Sequence, residues 1–308
     1  MTNIKLSIVV PVYNEQENIP KLSSRLTQVC NSLKASYEIL FVNDGSSDGT
    51  LEAIRRAKGK DPNISAIDLA KNSGKAQAYT AGFAEAKGEI VVTMDGDLQD
   101  APEEIPNFLK KIDQGFDLVT GWKYTGKGKR SLSSKLFNHV AGKLTKLSIH
   151  DSNCPFKAYR SEVVKNLKVY GDLYRFIPAL AYWKGYRIAE IKVENYPRQH
   201  GVTKYGASRA LSGFFDLMTV AFLTQYIKRP LHFFGLAGLV FGTIGFLIDL
   251  VIVVMGLING RVGHQALLLL GLVLIIISVQ FIFTGLLAEM QFRLFQEQGK
   301  DIPVYKKY

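Results

Sequence analysis

The first 120 residues alternate between short apolar runs and longer stretches in which apolar positions recur every three or four residues. Short apolar runs bounded by turn residues are typical of buried strands, and the intervening periodicity is typical of helices. The pattern predicts strands from Leu6 to a break at Pro11 and over 37–42, 64–69, 91–94 and 117–121, with helices over 16–35, from 50, over 76–87 and from 102. Strands that alternate with helices indicate an α/β fold with a doubly wound, mostly parallel sheet.

Two much longer apolar runs follow, from Leu231 to about Ile258 and from Ala266 to about Ala288. Each is long enough to cross a hydrocarbon core of ~30 Å, and the short connection between them predicts a transmembrane hairpin. Positive side chains flank both runs, whereas the connection carries only Arg261. Since cytoplasmic segments are enriched in Lys and Arg, we expect both termini to be cytoplasmic.

These patterns divide the chain into a cytosolic domain over 1–204, a juxtamembrane segment over 205–230, two spans within 231–290 and a cytosolic tail over 291–308. The juxtamembrane segment mixes aromatic and basic residues, which predicts amphipathic helices in the membrane interface. An ordinary surface helix packed on the domain is the alternative. In the first span, Gly238 and Gly242 form a GxxxG spacing that predicts helix packing, either within the chain or between subunits.

The net charge of +11 fits either nucleic acid or an anionic membrane surface. No basic helix interleaved with aromatics and no zinc-finger spacing is present, so we expect no nucleic-acid partner. The two cysteines, Cys30 and Cys154, lie far apart and are expected to be reduced thiols. There is no GxGxxG after the first strand and no GxxxxGK[ST], which argues against a dinucleotide-dependent dehydrogenase and a P-loop NTPase.

Candidate chemistry lies where the predicted strands end. Asp95 and Asp97 follow the strand over 91–94 directly, and Gly96 between them permits a sharp turn. Asp44 and Lys75 follow two other strands, so all four side chains are expected at the carboxyl edge of the sheet, where α/β folds bind nucleotides. Carboxylates and the nearby amide of Gln99 are hard oxygen ligands suited to Mg²⁺ or Mn²⁺. An acidic turn without a ligand is the alternative for an isolated Asp-Xaa-Asp.

Four ordered segments, 11–15, 43–50, 72–75 and 95–99, read PVYNE, NDGSSDGT, NSGK and DGDLQ. Together they resemble the inverting family 2 glycosyltransferases of GT-A fold, and most closely the polyprenyl-phosphate sugar synthases, which include dolichol-phosphate mannose synthase and bacterial bactoprenol glucosyltransferases. The two spans favour the bactoprenol group, which implies a bacterial inner membrane. The resemblance also implies a homo-oligomer, with a tetramer as the expected state.

The resemblance assigns roles to residues that match the family motifs. Metal binding falls to Asp95, Asp97 and Gln99, with Mg²⁺ or Mn²⁺ as the cofactor. The segment 151–159 resembles a family segment that reads Asp-Xaa-Xaa-Ser-Gly-Phe-Arg, although Cys154 and Pro155 replace Ser and Gly. The catalytic candidates are Asp95, Asp97, Asp151 and Arg130. The nucleotide-sugar-binding candidates are Pro11, Tyr13, Glu15, Asp44, Gly74, Lys75, Asp95, Gly96, Asp97, Lys123, Arg198 and Lys204.

The implied reaction is metal-dependent, inverting transfer of a sugar to a polyprenyl phosphate such as undecaprenyl phosphate. UDP-glucose is the favoured donor, while GDP-mannose, UDP-N-acetylglucosamine and modified sugars remain open. A processive polysaccharide synthase is the nearest alternative, but its relatives carry Gln-Xaa-Xaa-Arg-Trp and more spans, which this chain lacks. A non-catalytic membrane scaffold is a further alternative, and the intact Asp95–Asp97 pair argues against it.

Overall fold

The computed structural model describes residues 4–123, 142, 147, 149–167, 171–196, 218–219, 222, 226, 229–259 and 264–298. The chain forms two compact units, over 1–220 and 221–308. The predicted catalytic domain and the predicted spans thus fall in different units. Most of the predicted juxtamembrane helices over 205–230 and part of the predicted tail over 291–308 lie outside the described residues.

The described part of the first unit is built on one sheet of seven strands. In chain order these are β1 (Leu6–Val12), β2 (Tyr37–Asn43), β3 (Ile64–Asp68), β4 (Ile90–Thr93), β5 (Leu118–Lys123), β6 (Lys157–Arg160) and β7 (Ile188–Val193). Their spatial order is β3-β2-β1-β4-β6-β5-β7. Only β6 runs antiparallel to its neighbours β4 and β5, so the predicted mostly parallel sheet is confirmed.

Helices cover both faces of this sheet. They are α1 (Ile19–Ser32), α2 (Thr50–Lys58), α3 (Lys75–Glu85), α4 (Ile105–Asp113), α5 (Ser161–Asn166) and α6 (Ile177–Trp183). Alternate side chains of β1 enter different cores: Ile8 and Val10 pack with residues of α1, α2 and α4, whereas Val9 packs with residues of α3, α5 and α6. Both faces of the central strand are therefore buried, as in a doubly wound sheet.

The predicted break at Pro11 is wrong, because β1 runs through Pro11 and stays in register with β2 as far as Val12. The pairing of β1 with β4 ends earlier, at Val9. Residues of a central parallel strand bond alternately to its two neighbours, and Val12 accepts the N–H of Asp44 on the β2 side. Pro11 therefore faces the side from which β4 has already departed, where its missing N–H breaks no ladder bond. The two strands separate here, at the topological switch point of the sheet.

The second unit contains two long helices, α7 (Pro230–Asn259) and α8 (Gln265–Gln298). Both are long and apolar enough to cross a membrane, which agrees with the predicted hairpin. A Cβ atom on Gly238 would lie 2.9 Å from the Ser278 carbonyl oxygen, and one on Gly245 would lie 2.6 Å from that of Gly271. In the GxxxG spacing itself, Gly238 packs on the second helix and a Cβ atom on Gly242 would lie 2.6 Å from Ser278 Oγ, which supports packing within the chain.

Candidate active site

A cleft of about 800 Å³ opens in the first unit at the carboxyl ends of the parallel strands, where β1 and β4 separate. Every predicted site residue in the described part of the chain lines it: Pro11, Tyr13, Glu15, Asp44, Gly74, Lys75, Asp95, Gly96, Asp97, Gln99, Lys123 and Asp151. Arg130, Arg198 and Lys204 lie outside the described residues. The cleft is large enough for a nucleotide sugar by the usual dimensions of ligand sites.

The acidic turn after β4 has a tightly constrained backbone. A Cβ atom on Gly96 would lie 2.6 Å from the Cγ1 atom of Val12, so the turn packs directly on the end of β1. Leu98 has a φ of 62° and is buried in the core, so packing holds a non-glycine residue in the left-handed region. Asp97 is only 4% exposed and accepts the N–H of Gln99 at 3.2 Å. Its carboxylate is therefore held in place before any ligand binds.

Lys75, the first residue of α3, reaches across the cleft to the acidic turn. Its ammonium donates a hydrogen bond to Asp95 Oδ1 and lies 5.8 Å and 5.7 Å from the ring centroids of Tyr79 and Tyr174. Burial works to raise the pKa of Asp95, but the charge and hydrogen bond of Lys75 outweigh it and hold that pKa below its ordinary value. Asp95 is therefore a carboxylate at neutral pH, as a metal ligand must be.

Asp44 organises the loop that leads into α3. Its carboxylate accepts the N–H groups of Ser73 at 2.7 Å and of Gly74 at 3.0 Å. Gly74 has a φ of 87°, a conformation that glycine adopts without steric cost. Asp44 thus fixes the start of α3 and, through it, the origin of the Lys75 side chain, in addition to lining the cleft itself.

A buried ion pair lies behind the acidic turn. The Lys123 ammonium is 2.9 Å from Asp100 Oδ1, and the other oxygen of Asp100 accepts the N–H of Asp95 at 3.3 Å. Burial alone would lower the pKa of Lys123, but Asp100 and Asp95 raise it above its ordinary value, so the ammonium keeps its charge. Lys123 supplies a fixed cation at the cleft wall, although as a point charge rather than the bidentate fork of an arginine.

The loop before β6 forms the opposite wall with Asp151, Asn153, Cys154 and Pro155. Burial raises the pKa of the Cys154 thiol to about 12, so it is neutral and poorly nucleophilic. A Cβ atom on Gly121 would lie 2.9 Å from the Cys154 sulfur, which shows how closely this side chain packs on β5. Cys154, which replaces the family's Ser, is therefore accommodated by packing on β5.

Lys157, on β6, is a buried cation that is not among the predicted site residues. It is 3% exposed, and its ammonium donates a hydrogen bond to the Cys154 carbonyl oxygen. Burial lowers the pKa of Lys157 to about 8, although Cys154, Asp151 and Asp95 oppose that shift. The sequence could have identified this residue, because Lys157 occupies the position of the arginine in the family's Asp-Xaa-Xaa-Ser-Gly-Phe-Arg segment.

Because of Lys157, we expect the free energy of unfolding to change with pH in the alkaline range. Its pKa is about 8 in the folded protein and 10.5 ordinarily, so between these values the unfolded chain binds more protons and stability rises with pH. Relative to Lys157→Met, we expect the wild type to gain up to about 3 kcal/mol across this window. Melting temperatures measured by intrinsic fluorescence at pH 8 and pH 10 test this, with exposed Lys165→Met as the control. The same change in melting temperature between pH 8 and pH 10 for wild type and Lys157→Met would contradict this prediction.

The residues present suit a divalent metal completed by substrate oxygens. No group of three or more His, Cys, Asp or Glu side chains converges on a metal position within the described ranges. Mg²⁺ and Mn²⁺ sites in phosphoryl chemistry use one or two carboxylates together with substrate phosphates, which is the donor set that Asp95 and Asp97 offer. The Gln99 amide donates to the Tyr196 carbonyl oxygen at 3.5 Å, so its carbonyl oxygen is the atom left to complete the set.

Comparison with known proteins shows the family. The model for glycosyl transferase family 2 matches residues 7–168, more than half of the chain. A dodecaprenyl-phosphate galacturonate synthase from Rhizobium johnstonii is 37% identical over 299 residues, covering 94% of this chain and 88% of the relative. An undecaprenyl-phosphate 4-deoxy-4-formamido-L-arabinose transferase from Aeromonas hydrophila is 34% identical over 302 residues, covering 96% and 91%.

Solved structures confirm the fold. Glucosyl-3-phosphoglycerate synthase from Mycobacterium tuberculosis, crystallised with Mn²⁺ and UDP-glucose, superimposes with a TM-score of 0.56 at 16% identity, covering 71% of this chain and 79% of that one. A mannosyltransferase from Pyrobaculum calidifontis with GDP-mannose and Mn²⁺ gives 0.52 at 21% identity, covering 71% and 63%. With these neighbours, the family match and relatives that are polyprenyl-phosphate sugar transferases, the chain belongs to glycosyltransferase family 2 and is a GT-A enzyme.

Proposed function

We propose that the protein transfers one sugar from a nucleoside diphosphate sugar to the phosphate of a polyprenyl phosphate, with inversion at the anomeric carbon. The observation that carries the proposal is the arrangement of the cleft. A carboxylate pair, Asp95 and Asp97, lies at the strand ends, and two cations, Lys75 and Lys123, flank it. This is the charge distribution that a metal-bridged diphosphate leaving group requires.

The nucleoside is assigned to the loops at the ends of β1 and β2. Pro11, Tyr13, Glu15 and Asp44 line this end of the cleft. The two loops are fastened to each other, since the N–H of Glu15 donates to Thr50 Oγ1 at 2.8 Å. A pre-formed pocket of this kind reduces the ordering that nucleotide binding requires.

The acceptor needs little activation. A phosphate monoester has a second pKa near 6 and is mostly dianionic at neutral pH. One of its oxygens forms the new bond to the anomeric carbon as the bond from that carbon to the diphosphate oxygen breaks, which converts an α-linked donor into a β-linked product. A divalent metal at Asp95 and Asp97 supplies Lewis-acid stabilisation of the leaving diphosphate. Asp151, on the opposite wall, either accepts a proton or aligns the acceptor phosphate.

UDP-glucose remains the favoured donor. The sugars in the names of the relatives, galacturonate and 4-deoxy-4-formamido-L-arabinose, are the principal competitors. The described charged side chains that line the cleft are acidic except for Lys75 and Lys123, and both of these lysines face carboxylates. Since the carboxylate of a uronate would need a cation of its own, a neutral hexose suits the described part of the cleft better.

A donor screen tests the proposal. The purified full chain in detergent is given undecaprenyl phosphate, Mg²⁺ or Mn²⁺ and a panel of donors: UDP-glucose, UDP-galacturonate, UDP-linked 4-deoxy-4-formamido-L-arabinose, UDP-N-acetylglucosamine and GDP-mannose. We expect nucleoside diphosphate release and a lipid carrying a single sugar with one donor, and no turnover after chelation. A polymeric product would support a processive synthase instead. Binding without turnover under every donor would support the scaffold alternative.

The cellular arrangement is part of the proposal. We expect both termini and the catalytic domain to lie in the cytoplasm of a bacterium, with the hairpin of α7 and α8 in the inner membrane. Reporter fusions at both termini and at the loop around Arg261 test this orientation. The proposed homotetramer is tested by light scattering of the detergent-solubilised protein.

A further inference from the structure

Glu190, on β7, holds the chain segment that carries Asp151. One carboxylate oxygen, Oε1, accepts the backbone N–H groups of His150 and Asp151, both at 2.9 Å. The other, Oε2, lies 3.1 Å from the His150 N–H and 2.7 Å from the His150 ring nitrogen Nδ1. The Glu190 side chain is 13% exposed, so water competes little for these bonds. Hydrogen bonds from backbone N–H groups to a carboxylate are among the stronger ones in proteins.

A second contact also holds the segment. The His150 ring stacks on Trp122 of β5, with ring centroids 4.0 Å apart and an interplanar angle of 12°. Lys192, two residues after Glu190 on β7, lies 5.2 Å from the centroid of the same indole ring. Residues of two neighbouring strands thus determine where the backbone of residues 150–151 lies, although no regular secondary structure includes it.

We propose that Glu190 is a positioning residue, which sets the Asp151 carboxylate on the wall of the cleft by binding its backbone N–H. The inference rests on the proposed transfer reaction for its catalytic consequence. A bond to the Asp151 N–H itself fixes the Cα position of that residue, which a contact further along the chain would do less directly. Because displacements near 1 Å cost large factors in rate, loss of this bond lowers turnover without removing any group that contacts substrate.

Hydrogen–deuterium exchange tests the structural half without relying on activity. In Glu190→Ala we expect the amides of His150 and Asp151 to exchange at least about tenfold faster than in the wild type, because their acceptor is lost. Glu190→Gln keeps one carbonyl oxygen as acceptor and is expected to restore most of the protection. Glu194→Ala, an exposed glutamate four residues along, is the matched control. Unchanged exchange in Glu190→Ala would overturn the proposal.

A double-mutant cycle tests the catalytic half. Glu190→Ala is expected to lower kcat roughly tenfold with little change in the donor KM, and Glu190→Gln to recover most of that loss. In an Asp151→Asn background Glu190→Ala is expected to have little further effect, because it acts through Asp151. Two losses that multiply independently would overturn the proposal. Absence of transfer by the wild type would instead count against the proposed function, and the exchange experiment would still decide whether Glu190 holds Asp151.

Discussion

Asp97→Ala is expected to lower sugar transfer by a factor on the order of 10³ while the protein remains folded. Asp97 is buried at the carboxyl edge of the sheet, between a glycine that packs on β1 and the strained backbone of Leu98. Its carboxylate would hold the metal that neutralises the leaving diphosphate, and an alanine methyl group cannot bind a metal ion. Removal of a fixed group that stabilises developing charge characteristically lowers kcat.

The measurement is steady-state transfer with the donor identified by the screen, together with Mn²⁺ binding followed by calorimetry in the presence of the nucleoside diphosphate. Asp113→Ala, at the exposed end of α4, is the matched control and is expected to behave as wild type. Turnover and Mn²⁺ affinity that both survive in Asp97→Ala would contradict the metal assignment, whatever the donor. Unaltered melting temperatures would show that the loss does not arise from unfolding.

Lys75→Met is expected to lower kcat/KM for the donor by about 10²-fold. A loss of this size is reasonable when one cation that neutralises charge on the donor diphosphate is removed. Lys75 is placed by the Asp44-bound loop at the start of α3 and lies between the acidic turn and two tyrosine rings. Methionine preserves the length and apolar stem of the side chain but removes the ammonium. The Asp95 carboxylate then loses the nearby positive charge that keeps its pKa low.

Calorimetric titration with the nucleoside diphosphate in Mn²⁺ separates binding from chemistry for this variant. Lys75→Arg restores the charge and is expected to recover part of the affinity, whereas Lys71→Met, in the exposed loop just before α3, is expected to leave both affinity and turnover unchanged. Wild-type affinity and turnover in Lys75→Met would show that Lys75 serves only to neutralise Asp95. The role of this lysine in donor binding would then have to be abandoned.

The sequence by itself determined the first five strands of the sheet, the position of the cleft and the hairpin, whereas β6 and β7 were not predicted. Strands β2 and β4 contain the apolar runs 39–42 and 90–92, and runs of this length bounded by turn residues indicate buried strands. Asp44, Lys75 and Asp95 follow three different strands, and parallel strands bring their carboxyl ends to one edge, so their convergence could be predicted without coordinates. The apolar lengths of α7 and α8 likewise needed no tertiary information.

Only the tertiary structure decided which residues support these groups. The continuation of β1 through Pro11 depends on where β4 departs, and local propensity cannot show that. Glu190 binds the Asp151 N–H from 39 positions along the chain, and Lys157 is a buried cation beside the Cys154 carbonyl group only because β6 inserts antiparallel between β4 and β5. Residues that contact the substrate lie in short sequence motifs. The residues that hold them in place come from distant segments and are brought together by packing, so no local sequence pattern predicts them.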